Sequence, residues 1–303
     1  MLSTRTVIAV CRTVLKTSRY LLLILLLIPQ FGRAAGEPLL AWRVAGEQAQ
    51  LTLLGSVHMA FPEVYPLRDD LESAFYEADS LVVEVDITGK GAFEIQRLLL
   101  TEGMLPAGET VEQYLSVSVW TRLQRYMLER GLPADQLVRM KPGLLATTLS
   151  TLRLADLGMA VEHGIDRHFL TQTGSKPVQE LETPAQQVAL LLDFPDPDLL
   201  MAQTLQQLET METLITPIYQ AWLRGDAQAL DRLLLTQDRD SHPEFEAIYR
   251  RFFDDRNHAM AAQLTTMLAG NGHYFVVVGA GHLVGEEGII ALLRQAGFTV
   301  SRY

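Results

Sequence analysis

The chain has 303 residues, 48% hydrophobic and 20% charged, with 36 Asp and Glu against 25 Lys and Arg for a net charge of −11. Such a length and apolar content suit a globular protein with a sizeable core, and the acidic balance disfavours nucleic acid and anionic lipid as partners. The single cysteine, Cys11, excludes a disulfide within the chain and, if lost with the N-terminus, excludes thiolate metal sites and cysteine catalysis too.

Arg5, Arg12, Lys16 and Arg19 precede the apolar run Leu21 to Ile28, and Gly32-Arg33-Ala34 supplies small residues for cleavage. This order predicts a secretory signal peptide over 1–34, with one domain over 35–303. A retained membrane anchor is the alternative, but the run falls well short of the ~20 residues a spanning helix needs. Cleavage removes five basic and no acidic residues, so 25 less five leaves 20 Lys and Arg against 36 Asp and Glu, a net charge of −16. The expected protein is exported, periplasmic or secreted, with no stable membrane span after cleavage. Any metal it holds must use His and carboxylates.

Leu39 to Val44 and Gln50 to Leu54 flank Ala-Gly-Glu-Gln and predict a hairpin. It leads into Gly55-Ser56-Val57-His58. Pro66 is expected to open a helix carrying Leu67, Leu71, Ala74, Phe75 and Ala78, followed by a buried strand Leu81 to Val85. A short crossover predicts a βαβ unit with its strands parallel neighbours. Within that strand Glu84 stands out, because a carboxylate among apolar residues must be paired, hydrogen-bonded or protonated.

A helical insertion is expected over about 92–270, punctuated by Gly and Pro. Inside it Lys176 to Glu182 reads as a strand, and Thr183-Pro184 as the N-cap and first turn of the next helix. Asp193 to Asp198 is a break, after which Met201, Leu205, Leu208, Met211, Leu214 and Ile215 mark a long helix. The insertion is expected to form a cap or flank. Finally, His273 to Val278 predicts a strand, Gly279-Ala280-Gly281-His282 its turn, Glu286-Glu287-Gly288 the start of a helix with Ile289, Ile290, Leu292 and Leu293 on its apolar side and Gly297 at its end, and Phe298 to Val300 a return strand, a second βαβ unit. The fold expected is α/β: a mixed, mostly parallel sheet built from βα units at both ends of the chain, with a large helical insertion between them.

The two G-x-x-H turns organise this reading. If their strands are parallel neighbours, His58 and His282 both stand outside the carboxyl ends of the strands, where ligands collect in open α/β sheets. With Glu84 they would make a three-ligand His/carboxylate set for a divalent ion, which lowers the pKa of water or polarises a carbonyl. Without a metal, a His general base and a carboxylate that positions water remain open. His163, His168, His242, His258 and His273 show no metal-ligand spacing, no serine stands in a G-x-S-x-G elbow, and no glycine-rich phosphate loop is present.

Gly55-Ser56-Val57-His58, Val82 to Asp86, Lys141-Pro142, Gly164-Ile165-Asp166, Lys176 to Thr183, Arg256-Asn257 and Val278 to Gly285 together resemble the ordered signatures of the TraB/GumN family. The resemblance spans nearly the whole expected mature chain. It implies kinship with Tiki membrane proteases, erythromycin esterase-like hydrolases and ChaN-like haem-binding proteins, with paired G-x-x-H turns and a strand glutamate lining one cleft. Residue by residue it implies His58, His282 and Glu84 as metal ligands and catalytic groups, Arg256 as an oxyanion or carboxylate partner, and Glu182 as a further ligand. Gly143 departs from the pattern, which often has an aromatic residue after Lys-Pro. The implied activity is metal-dependent peptide cleavage with Mn, Co or Zn; the alternatives are a metal-independent esterase-like hydrolase using His58 and Glu84, and a haem- or ligand-binding protein without catalysis. Substrate and oligomeric state are not specified.

Overall fold

The computed structural model describes residues 39–303; the expected signal peptide and Cys11 lie outside them. Six strands form one sheet: β1 (Ala41–Ala45), β2 (Gln48–Ser56), β3 (Ser80–Val83), β4 (Val178–Glu180), β5 (Asn271–Gly279) and β6 (Thr299–Arg302), in the order β4-β3-β5-β2-β1-β6. Strands β2 to β5 are mutually parallel, and β1 is antiparallel to β2 and β6. The sheet is therefore mixed and mostly parallel. Buried runs at Leu51 to Ser56 and Phe275 to Val278 are what central strands covered on both faces require.

The helices that bear on the site are α1 (Asp69–Glu77), α2 (Gly89–Glu102), α3 (Val117–Glu129), α4 (Pro142–Asp156), α5 (Ile165–Thr171), α6 (Pro184–Leu192), α7 (Pro197–Leu223), α8 (Asp255–Leu268) and α9 (Ile289–Gln295). The hairpin and the pairing of β2 with β5 stand as expected, but β2 and β3 are not neighbours, because β5 lies between them. Similarly, β6 sits three positions from β5, at the far edge beside β1. Crossover length constrains the sense of the strands, whereas the number of positions skipped depends on which strand is most apolar and claims the centre. Right-handed crossovers leaving in opposite directions put α1 and α9 on opposite faces.

On one face, Phe75 of α1, Phe169 of α5 and Phe275 of β5 form an aromatic cluster with ring centroids 4.8–5.7 Å apart. Helix α1 starts at Asp69, not at Pro66, which precedes its N-cap Arg68. The insertion contributes β4 to the sheet and builds a second apolar core from α3, α4 and α7, with Leu123, Leu145, Leu149, Leu205 and Leu208 fully buried. Each such side chain contributes about 1.5–3 kcal/mol, which holds the three helices as a bundle. The 27-residue α7 runs from that core into the sheet core. There Trp222 is buried and donates its indole N–H to Gly55 O at 2.7 Å, tying the helix to the first G-x-x-H turn. Among the described residues no helix is long and apolar enough to cross a membrane.

Candidate active site

Parallel register sets the site. Ser56 lies beside Gly279, and Val83 lies between Val277 and Glu180, so four chain segments leave the same edge of the sheet together. Glu84 is the first residue beyond β3, one position outside the strand expected to contain it. Its backbone carbonyl accepts from the Glu182 N–H at 2.8 Å, which aligns the two carboxylates. His58 follows β2 by two residues, and His282 ends the short turn after β5.

The five residues expected at the site converge. Arg256, near the start of α8, pairs both carboxylates: its Nε and Nη2 donate to the two oxygens of Glu182 at 2.7 Å each, and Nη2 also reaches Glu84 Oε2 at 2.6 Å. Its Nη1 donates to Phe252 O and to His282 Nε2, both at 3.0 Å. Glu84 Oε1 accepts from the Gly279 N–H at 2.6 Å and stands 3.8 Å from His282 Nε2. Gln187 of α6 donates to Glu84 Oε2 and Glu182 Oε2 at 3.3 and 3.0 Å.

Two residues beyond the expected set orient the imidazoles. Asp166 of α5, buried, accepts from His58 Nδ1 at 2.9 Å and from Ser56 Oγ at 2.9 Å. Asn257, also buried, accepts from His282 Nδ1 at 2.6 Å, while its amide donates to Glu287 O at 2.8 Å. A guanidinium only donates, so His282 Nε2 must accept from Arg256 and Nδ1 carries the proton. A carboxylate only accepts, so His58 Nδ1 is likewise protonated. Both side chains lay within the signatures Gly164-Ile165-Asp166 and Arg256-Asn257, yet the sequence offered no reason to give them a role. The glycine of the first signature has one: a Cβ on Gly164 would lie 2.4 Å from His58 O, so only glycine lets α5 start against the His58 turn.

The charges follow from these contacts. Burial pushes the His282 ring down to about 4, more strongly than Glu84 can hold it up, so it is neutral at physiological pH. Asp166 raises the His58 imidazole to about 9, against the cost of desolvation, although the side chain is 67% exposed. Burial works against an ionised Glu84, but His282, Arg256, His58 and the Gly279 N–H outweigh it and hold the carboxyl at about 2. Above pH 4, where His282 is neutral, Arg256 and, up to about pH 9, the His58 imidazolium are the counter-charges.

The chain matches the TraB/PrgY/gumN family over residues 40–302. It belongs to that family. The uncharacterized protein YbaP of Escherichia coli (strain K12) is 31% identical over 246 residues, 80% of this chain and 87% of its own length. Metalloprotease TIKI2 and Metalloprotease TIKI1 of Danio rerio are 25% and 24% identical, each over 82% of this chain and over 57% and 60% of their own lengths. No solved structure matches the chain.

The family's expected ion can be tested against the donors. Among the described residues no group of three or more His, Cys, Asp or Glu is placed to hold a metal ion; Arg256 lies between Glu84, Glu182 and His282. In donor chemistry His58, His282 and Glu84 nevertheless fit one: each ring has its outer nitrogen tied to an oxygen, the arrangement that orients ligating histidines. Gly279 keeps the space between them open, since a Cβ there would lie 3.2 Å from Glu84 Oε1, 3.4 Å from His282 Cδ2 and 3.9 Å from His58 Nε2. Glu182 has both oxygens held by Arg256.

Proposed function

We propose that the chain is a metal-dependent hydrolase that cleaves peptides, exported from the cytoplasm by the signal sequence over 1–34. The observation that carries this reading is the pair of imidazoles fixed at Nδ1, by Asp166 and Asn257, beside an ionised Glu84. The relatives named metalloproteases support peptide as the substrate class. A divalent ion such as Mn, Co or Zn, held by His58, His282 and Glu84, would lower the pKa of water and polarise a peptide carbonyl.

The protein's own groups prepare that chemistry. Asp166 and Asn257 hold the rings in one tautomer, and His58 must release a proton before it can ligate. The bond from Arg256 Nη1 to His282 must also be given up, which frees that N–H to stabilise negative charge developing on the carbonyl oxygen. Glu182 retains the guanidinium through two further bonds.

The link between His58 and the buried Asp166 favours a second reading, metal-free hydrolysis with His58 as base and Glu84 orienting water. Because Asp166 keeps the ring protonated up to about 9, that base works only at alkaline pH.

The deciding experiment measures metal content and peptide cleavage for untagged protein purified from the periplasm without chelator, beside His58→Ala and His282→Ala. Near-stoichiometric ion in the wild type, absent from both variants, and chelator-sensitive cleavage are expected. Chelator-resistant cleavage rising toward pH 9 would transfer the assignment to the metal-free route. Neither metal, after reloading, nor cleavage would sink both.

A further inference from the structure

The geometry points to a second recognition site, a cavity at the seam of the two cores that takes the apolar side chain and terminal carboxylate of a peptide's C-terminal residue. Its use in catalysis rests on the hydrolase reading; its binding chemistry does not. The cavity has a volume of about 440 Å³ and is walled by Leu105, Leu191, Leu192, Phe194 and Leu200. That size is within the range of ligand pockets and holds a Leu or Phe side chain with its backbone.

Lys141 is the one charged side chain in the lining. Its backbone N–H is fixed on Gly103 O at 2.8 Å, and it is the N-cap residue of α4. In a chain with an excess of acidic residues, its ammonium has no carboxylate partner among the described residues. An apolar cavity with one unpaired cation matches an apolar group that carries one negative charge. Lys141-Pro142 is also the family signature that contributes nothing to the cluster around Arg256.

Two elements connect this cavity to that cluster. Gln187, which touches Glu84 and Glu182, and Leu191, which lines the cavity, are four residues apart on α6 and so lie one turn apart on the same face. Phe194 stacks on Phe252 with ring centroids 6.1 Å apart, and Phe252 O holds Arg256. Four residues of helix rise ~6 Å and an extended peptide covers ~3.3 Å per residue, so the stretch from Leu191 back to Gln187 matches about two residues of an extended chain. The occupant would be a free peptide C-terminus, and the enzyme would cut a short distance before it.

The test is calorimetric titration of the full chain with N-acetyl-leucine and with its amide, on wild type, Lys141→Gln and the cavity-filling Leu192→Trp, with thermal melts to verify folding. The acid is expected to bind about tenfold more tightly than the amide, as one charge-assisted contact allows. Lys141→Gln should erase that preference, and Leu192→Trp should weaken both ligands. Equal binding of acid and amide, an unchanged preference in a folded Lys141→Gln, or no binding of either would overturn the proposal. Peptides cleaved equally well with free and amidated ends would remove this site and leave the hydrolase reading standing. Binding through Lys141 with no cleavage of any peptide would do the reverse.

Discussion

A methyl group at Gly279 is the smallest change that tests the gap between the two histidines. The backbone there, φ −51° and ψ 134°, accepts alanine without strain, so Gly279→Ala should fold. Its Cβ would stand 3.2 Å from Glu84 Oε1 and push the carboxylate or fill the space an ion needs. Ion binding in Gly279→Ala should fall by at least about tenfold, the scale of a disturbed ligand shell, with little change in melting temperature; unchanged affinity would show that the gap is not where the ion sits. By the same logic Asp166 and Asn257 matter through the rings they aim.

Among the elements, α6 does the most to join the site to the rest of the molecule. Thr183 caps it, with its hydroxyl accepting from the Gln186 N–H at 3.2 Å while the Gln186 side chain accepts from the Thr183 N–H at 2.8 Å. The helix thus starts immediately after Glu182 and delivers Gln187 to both carboxylates within its first turn. Thr183→Ala should cost about 1 kcal/mol, read as a lower urea midpoint at unchanged slope. No loss of stability would mean that tertiary packing alone fixes this start. Across the site, a π turn over Arg250–Asp254 precedes α8; it carries Phe252, whose carbonyl holds Arg256, and Phe253, whose ring packs 5.4 Å from that of His282.

For the whole molecule the titrating groups at the sheet edge set a stability window. His282, depressed from 6.5 to about 4, takes up a proton more readily when unfolded, so stability falls as pH drops from 6.5 through 4. Glu84, lowered from 4.5 to about 2, extends the loss as its folded carboxylate is finally protonated. His58, raised from 6.5 to about 9, stabilises fully below 6.5 and loses that contribution as pH rises through 9. The metal-free protein should therefore melt highest near pH 6.5. His282→Gln should flatten the upper part of the acid limb, and His58→Gln the alkaline limb; limbs unchanged in these variants would assign the window to other groups.

Much of this was legible in order along the chain. Apolar runs ending at Gly55 and Gly279 gave the paired strands, the lone carboxylate within the apolar run Leu81 to Val85 gave Glu84, and Thr183-Pro184 marked the start of α6, because each is a local pattern with a local cause. The family signatures identified Arg256 and Glu182 as residues of the site. Only the tertiary structure decided that β5 separates β2 from β3 and that β6 lies at the far edge, since strand order depends on competition for the most buried position. It alone brought Asp166 to His58 and Asn257 to His282, contacts spanning 108 and 25 residues of chain that no local periodicity records. And it alone set Arg256 between the carboxylates, so that the donors read from sequence as ligands of a metal ion meet, in the folded chain, around a guanidinium.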